Sequence, residues 1–88
     1  MKITGNGNQT LKVFPGTLYT VAVTGFDVAT SGAQTIMQSM DGTEAIPENT
    51  FTSNDSYEFR ACSTSVRFVT TGLGSGETLN VRMFRANG

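Results

Sequence analysis

Apolar and polar side chains that alternate with a period of two constrain this chain more than any other feature. In the stretch TLNVRMFR at residues 78–85, Leu79, Val81 and Met83 fall on one side of an extended ribbon, with Asn80 and Arg82 on the other. Tyr57, Phe59 and Ala61 alternate with Glu58 and Arg60 in the same manner, and Val66 and Phe68 flank an outward Arg67. Strand-like stretches recur with turn signals every 8–12 residues, a spacing that predicts an all-β fold. The expected architecture is an antiparallel β-sandwich or jelly-roll-like barrel of seven or eight short strands in one domain, residues 1–88.

The remaining elements are less regular. Residues 9–14 alternate weakly and stop at Pro15-Gly16, a pair that fixes one backbone angle and then permits positive φ. Residues 17–24 resume as a strand with Tyr19, Val21 and Val23 on one face. Its other face is mixed, so the strand is expected to be central with both sides largely covered. Residues 26–32 read as a loop or bent strand. Residues 34–40 form the next strand, with Ile36, Gln38 and Met40 on one face and Met37 opposite. Asp41-Gly42 signals a hairpin turn, with residues 43–46 as the return arm ended by Pro47. Residues 48–55 are polar, anchored by Phe51 alone, and read as an excursion over the surface. The first eight residues and residues 86–88 read as loose ends.

A domain of 88 residues buries roughly 60–65% of the surface its unfolded chain exposes, so the core is thin. Small domains offset such a deficit with disulfides, a metal or oligomerisation. Cys62 is the only cysteine, which excludes a disulfide within these residues, and it is expected to lie buried as a small hydrophobe. With no histidine and one thiol, a tetrahedral zinc shell cannot be filled. Self-association remains.

A net charge of −1 is no electrostatic footprint for nucleic acid. No run of apolar residues is long enough for a transmembrane helix, so no membrane partner is expected. The opening residues lack the apolar region of a secretory signal, and a lone free cysteine suits folding in a reducing cytoplasm. Charged residues make up only 15%, against roughly 25% in ordinary soluble domains. Thr, Gly, Ser and Asn take their place, a composition common in binding modules and virion proteins.

Nothing in the sequence assembles into catalysis. The absence of histidine removes the commonest general acid/base near neutral pH and any Ser-His-Asp or Cys-His nucleophile. The carboxylates Asp41, Glu44, Glu48, Asp55 and Glu58 lie in turns or on outward faces, in no setting that drives paired pKa values apart. The glycine-rich stretches at 5–7 and 72–76 lack the helix and lysine of a phosphate loop, and Asp41-Gly42-Thr43-Glu44 lacks calcium-loop spacing. The chain is expected to be no enzyme and to need no cofactor.

One asymmetry stands out. All four arginines, Arg60, Arg67, Arg82 and Arg85, fall in the last third of the chain. If their strands share one sheet, its outer face is an arginine stripe suited to an acidic partner or a sister subunit. Exposed ion pairs contribute about 0–1 kcal/mol each, so such a face supplies orientation more than affinity.

The order of a strand ending in IMQSMDG (residues 36–42), a polar excursion, YEFRA (57–61), VRF (66–68) and a glycine-rich turn into LNVR (79–82) resembles small β-sandwich structural proteins of tailed bacteriophages. The resemblance spans residues 9–85 and implies a virion component, assembled in the host bacterial cytoplasm. It points first to a capsid decoration (cement) protein that bridges neighbouring capsid subunits, or else to a head–tail or tail accessory module. Its implied partners are the major capsid protein or other virion subunits and further copies of itself, a trimer favoured. A carbohydrate-binding or adhesion module is the reading from a different class; lacking tryptophan, it would rely on Tyr19, Tyr57 and Phe51. A small inhibitor or regulatory domain, using an exposed loop at residues 48–56, is a third.

Overall fold

A computed structural model of the chain describes residues 1–85. Eight strands make up its regular structure: β1 (Lys2–Ile3), β2 (Gly7–Lys12), β3 (Leu18–Thr24), β4 (Gln34–Asp41), β5 (Glu44–Phe51), β6 (Asp55–Arg60), β7 (Ser65–Thr71) and β8 (Leu79–Arg85). They form two four-stranded sheets, β1-β8-β3-β6 (sheet I) and β2-β7-β4-β5 (sheet II). Every pairing is antiparallel. First pairs with last, second with seventh, third with sixth and fourth with fifth. This nested order is a long hairpin rolled up on itself, the jelly-roll form of the β-sandwich.

The inward faces follow the period-two rule. In sheet I, Val81, Val23 and Asp55 share a row, and Met83, Val21 and Tyr57 share the next. In sheet II, Phe68 and Met37 sit side by side, as do Thr70 and Thr35. All four are buried, and burying a side chain such as Phe68 stabilises the fold by about 1.5–3 kcal/mol. The Thr70 hydroxyl donates to that of Thr35 at 3.1 Å, so this polar pair enters the core with its hydrogen bond made.

Several local expectations are corrected. The first eight residues are not loose: Ile3 is fully buried and pairs with Leu79, and β2 begins at Gly7. The stretch from Glu48 is not a surface excursion. β5 runs from Glu44 through Pro47 to Phe51, leaving only residues 52–54 as a turn. Pro47 is tolerated there because β5 is an edge strand, where a missing N–H faces outward. In β4 the expected division of faces is present, and the side of Met37, with Thr35 and Ser39, is the buried one, while Ile36 and Met40 lie half-buried on the outside. β3 is central, but only its Tyr19, Val21 and Val23 face is buried; the other is half-covered, and Thr24 at its end is exposed. Cys62 is exposed, not buried. The other terminal expectation, residues 86–88, lies outside the described residues.

Candidate functional site

The two long sides of the sandwich are built differently. On one side the edge strands are β5 and β6, and they touch. Glu48 binds them together: its carboxylate accepts the Ser39 hydroxyl from β4 at 2.6 Å and the Tyr57 hydroxyl from β6 at 3.3 Å. Burial, then the Glu48 charge, then this hydrogen bond raise the Tyr57 pKa above its ordinary value. Glu48 reaches this position because β5 carries a register shift opposite Met37 and Gln38 that inserts it as an extra residue.

The opposite side is open. β1 is two residues long and covers β8 only at Leu79 and Asn80. Its ladder is extended by Met1, which exchanges two hydrogen bonds with Val81, each 2.8 Å. Beyond Val81 the outer edge of β8 has no neighbouring strand among the described residues. Between this free edge and β2 lies a cleft of about 480 Å³, lined by Leu11 and Lys12 of β2, Tyr19 of β3, and Arg82 and Met83 of β8. Phe84, half-exposed at 50%, stands on its rim, and Phe14, 63% exposed, lies nearby beneath the Arg85 guanidinium, 4.9 Å from its ring centre. Tyr19 forms part of the floor, stacked on Phe59 at 5.8 Å, while its hydroxyl accepts the Phe14 N–H.

The four arginines do not form one stripe. Arg60 on β6 and Arg82 on β8 lie on the outer face of sheet I, separated by β3, where they oppose Leu18 and Ala22. Arg60 is tethered to the Gly16 carbonyl at 2.7 Å. Arg67 is in the other sheet, on β7, with Nε and Nη2 both donating to the Gln38 carbonyl oxygen at 3.1 and 3.0 Å. Arg82 and Arg85 share β8 at the open edge but lie on opposite faces of the strand, Arg85 in register with Tyr19 and over the Phe14 ring. The cleft itself was not visible in the sequence, since the shortness of β1 and the seating of β2 against β8 are not local properties. Two aromatic groups, Tyr19 and Phe51, offered above for sugar stacking are buried in the core, and Tyr57 is half-buried.

Charge divides along the same line. β1, β2 and β8 carry Lys2, Lys12, Arg82 and Arg85 and no acid. β5 and β6 carry Glu44, Glu48, Asp55 and Glu58 against the single Arg60. Four of the six basic residues and four of the seven acids thus occupy opposite edges.

At one end of the sandwich a loop network is anchored by Glu77. Its carboxylate accepts the backbone N–H of Gly74 at 2.7 Å and of Thr30 at 2.8 Å. These contacts, that to Gly74 foremost, hold its pKa below the ordinary carboxylate value. Asn6 ties β2's approach into the same end through both directions of exchange with Leu73. Among the described residues, no group of three or more Cys, Asp or Glu side chains is placed to hold a metal ion.

No protein-family model, curated protein or solved structure matches the chain.

Proposed function

We propose that this chain is a non-enzymatic bacteriophage virion structural protein, acting as a capsid decoration protein that bridges and stabilises neighbouring capsid subunits. The observation that carries the reading is the open β8 edge beside a cleft of mixed polarity, lined by apolar side chains together with Lys12 and Arg82. An unpaired strand edge next to exposed Phe14, Phe84 and Met1 is built for docking. Jelly rolls serve in viral capsids and in lectins alike, so the fold narrows the choice without making it. The virion context rests on the strand-and-turn resemblance described above. The mechanism is mechanical: contacts to adjacent capsid subunits add interface area, and the load on the shell is shared across it.

Purified particles from cells producing the virus provide the test. The chain should sediment with the particle at a copy number that scales with the capsid subunits. A few copies per particle would instead mark a head–tail or tail module, and its presence only in the soluble fraction would sink the virion reading. Arg82→Glu should weaken particle binding without unfolding the protein, because Arg82 is exposed on the outer face. Unchanged binding would remove Arg82 from the contact surface.

A further inference from the structure

We propose that the chain assembles head to tail with copies of itself, the open β8 edge of one copy receiving the β6 edge of the next. The inference deepens the structural-protein reading by naming the occupant of the open edge. It stands on three observations about the molecule alone.

The first is that the two free edges belong to one sheet. In the order β1-β8-β3-β6, β6 is a complete edge, and β8 is an edge wherever β1 does not reach. β6 and β8 both run antiparallel to β3, so they run parallel to each other. Sliding one copy sideways therefore sets its β6 alongside the next copy's β8, with both outer faces on the same side. Sheet I then continues from copy to copy through a parallel junction. The incoming strand occupies the slot where β1 stops, beside residues 82–85.

The second is charge. The receiving edge bears Lys2, Lys12, Arg82 and Arg85, and the donated edge bears Asp55 and Glu58 against the single Arg60, with Glu44 and Glu48 of β5 behind them. Joining unlike edges brings these sets together. Joining two β8 edges gathers eight basic side chains and no carboxylate, and joining two β6 edges gathers four carboxylates against two arginines. Like charges facing each other across an interface suppress that alternative.

The third is selectivity between the acidic strands. The outer edge of β5 is interrupted by Pro47 and by the bulge that inserts Glu48, both of which obstruct strand addition. β6 contains neither. It is the acidic edge with a continuous backbone to offer. A junction between unlike surfaces closes into a ring when its rotation allows, and otherwise continues as a filament.

Two double variants test the proposal, one per edge: Arg82→Glu with Arg85→Glu, and Asp55→Lys with Glu58→Lys. All four side chains are exposed, and unchanged thermal melting would establish that each variant folds. Light scattering over a concentration series should show the unmodified chain self-associating, weakened about tenfold or more from 0.05 to 0.5 M salt as screening lengths shrink. Each variant alone should associate at least about tenfold more weakly: Arg82→Glu with Arg85→Glu leaves only Lys2 and Lys12 to offset two new carboxylates on the receiving edge, and Asp55→Lys with Glu58→Lys turns the donated edge basic. Mixed one to one, the pair should associate again, since the intact β6 of the first meets the intact β8 of the second. An unmodified chain that stays monomeric at all concentrations overturns the proposal. So does undiminished association of the Asp55/Glu58 variant alone, which would mean that β8 pairs with β8 or that the acidic edge is idle. Binding of a synthetic acidic strand peptide by a monomeric chain would assign the β8 edge to a different protein. These measurements need no capsid, so loss of particle binding and loss of self-association are separable results.

Discussion

The Tyr57 hydroxyl donates to the Glu48 carboxylate across the gap between the two sheets, and this contact closes one side of the sandwich while the other stays open. Its energetics depend on the phenol remaining protonated. The folded-state pKa of Tyr57 lies above the ordinary value of 10.0, so folding favours the neutral phenol. The stabilisation is complete below pH 10 and is lost as pH rises through the folded-state value. Urea denaturation between pH 8 and 11.5 should show stability falling above pH 10, with Tyr57→Phe removing part of that fall. An identical alkaline profile in the variant would count against the linkage.

Glu77 gives the opposite sign at the other end of the pH scale. Its pKa is lowered in the folded state, chiefly by the Gly74 N–H, so its contribution is present above about pH 4.5 and disappears as pH falls through the depressed value. Glu77→Gln should flatten the acid limb of a melting-temperature profile between pH 5 and 2.5. A variant that retains the full acid limb would show that another carboxylate governs it.

The buried Thr35–Thr70 pair separates the cost of one orphaned hydroxyl from the worth of a hydrogen bond. Thr70→Val or Thr35→Val alone leaves a buried hydroxyl without its partner and should cost about 1–3 kcal/mol. Converting both to valine removes the unsatisfied group and should cost less than the sum of the singles, down to near zero. Additive losses in chemical denaturation would contradict this.

Gly72 sits at φ +75°, and a Cβ placed on it would stand 2.5 Å from the Gly32 carbonyl oxygen. Gly72→Ala therefore meets a left-handed backbone, about 1–2 kcal/mol for an L-residue, and a backbone clash that moves the 26–32 loop. Gly42, also at positive φ but with open space around it, should suffer the conformational term alone. Equal destabilisation of the two alanine variants would show that the Gly32 contact relaxes without cost.

Alternation revealed β3, β6, β7 and β8 because their buried faces hold the larger apolar side chains. β4 reversed that signal: its core face includes Thr35 and Ser39, while Ile36 and Met40 face outward, so hydrophobicity alone gives the wrong side. β5 was hidden by Pro47 and by polar residues, both acceptable only because it is an edge. The role of the opening residues depends on a partner at Leu79 and Asn80, almost the whole chain away, and no local pattern reports that. The arginines were legible as outward residues, but sheet membership is a global property, and it separates Arg67 from Arg60 and Arg82. The open edge followed from where strands stop, which the sequence expresses only through their pairing.

The rolled-up strand order also makes the two sheets unequally dependent on β8. Every strand of sheet II lies between Gly7 and Thr71, so that layer can pair without it. Sheet I cannot: β3 has β6 on one flank but waits for residues 79–85 on the other, and β1 waits for the same strand. Until β8 docks, β3 presents a bare flank beside Val21 and Val23, the kind of surface on which incompletely folded chains misassociate. The last seven-residue strand therefore acts as the latch of the domain, and any shortening that removes it frees two strands at once.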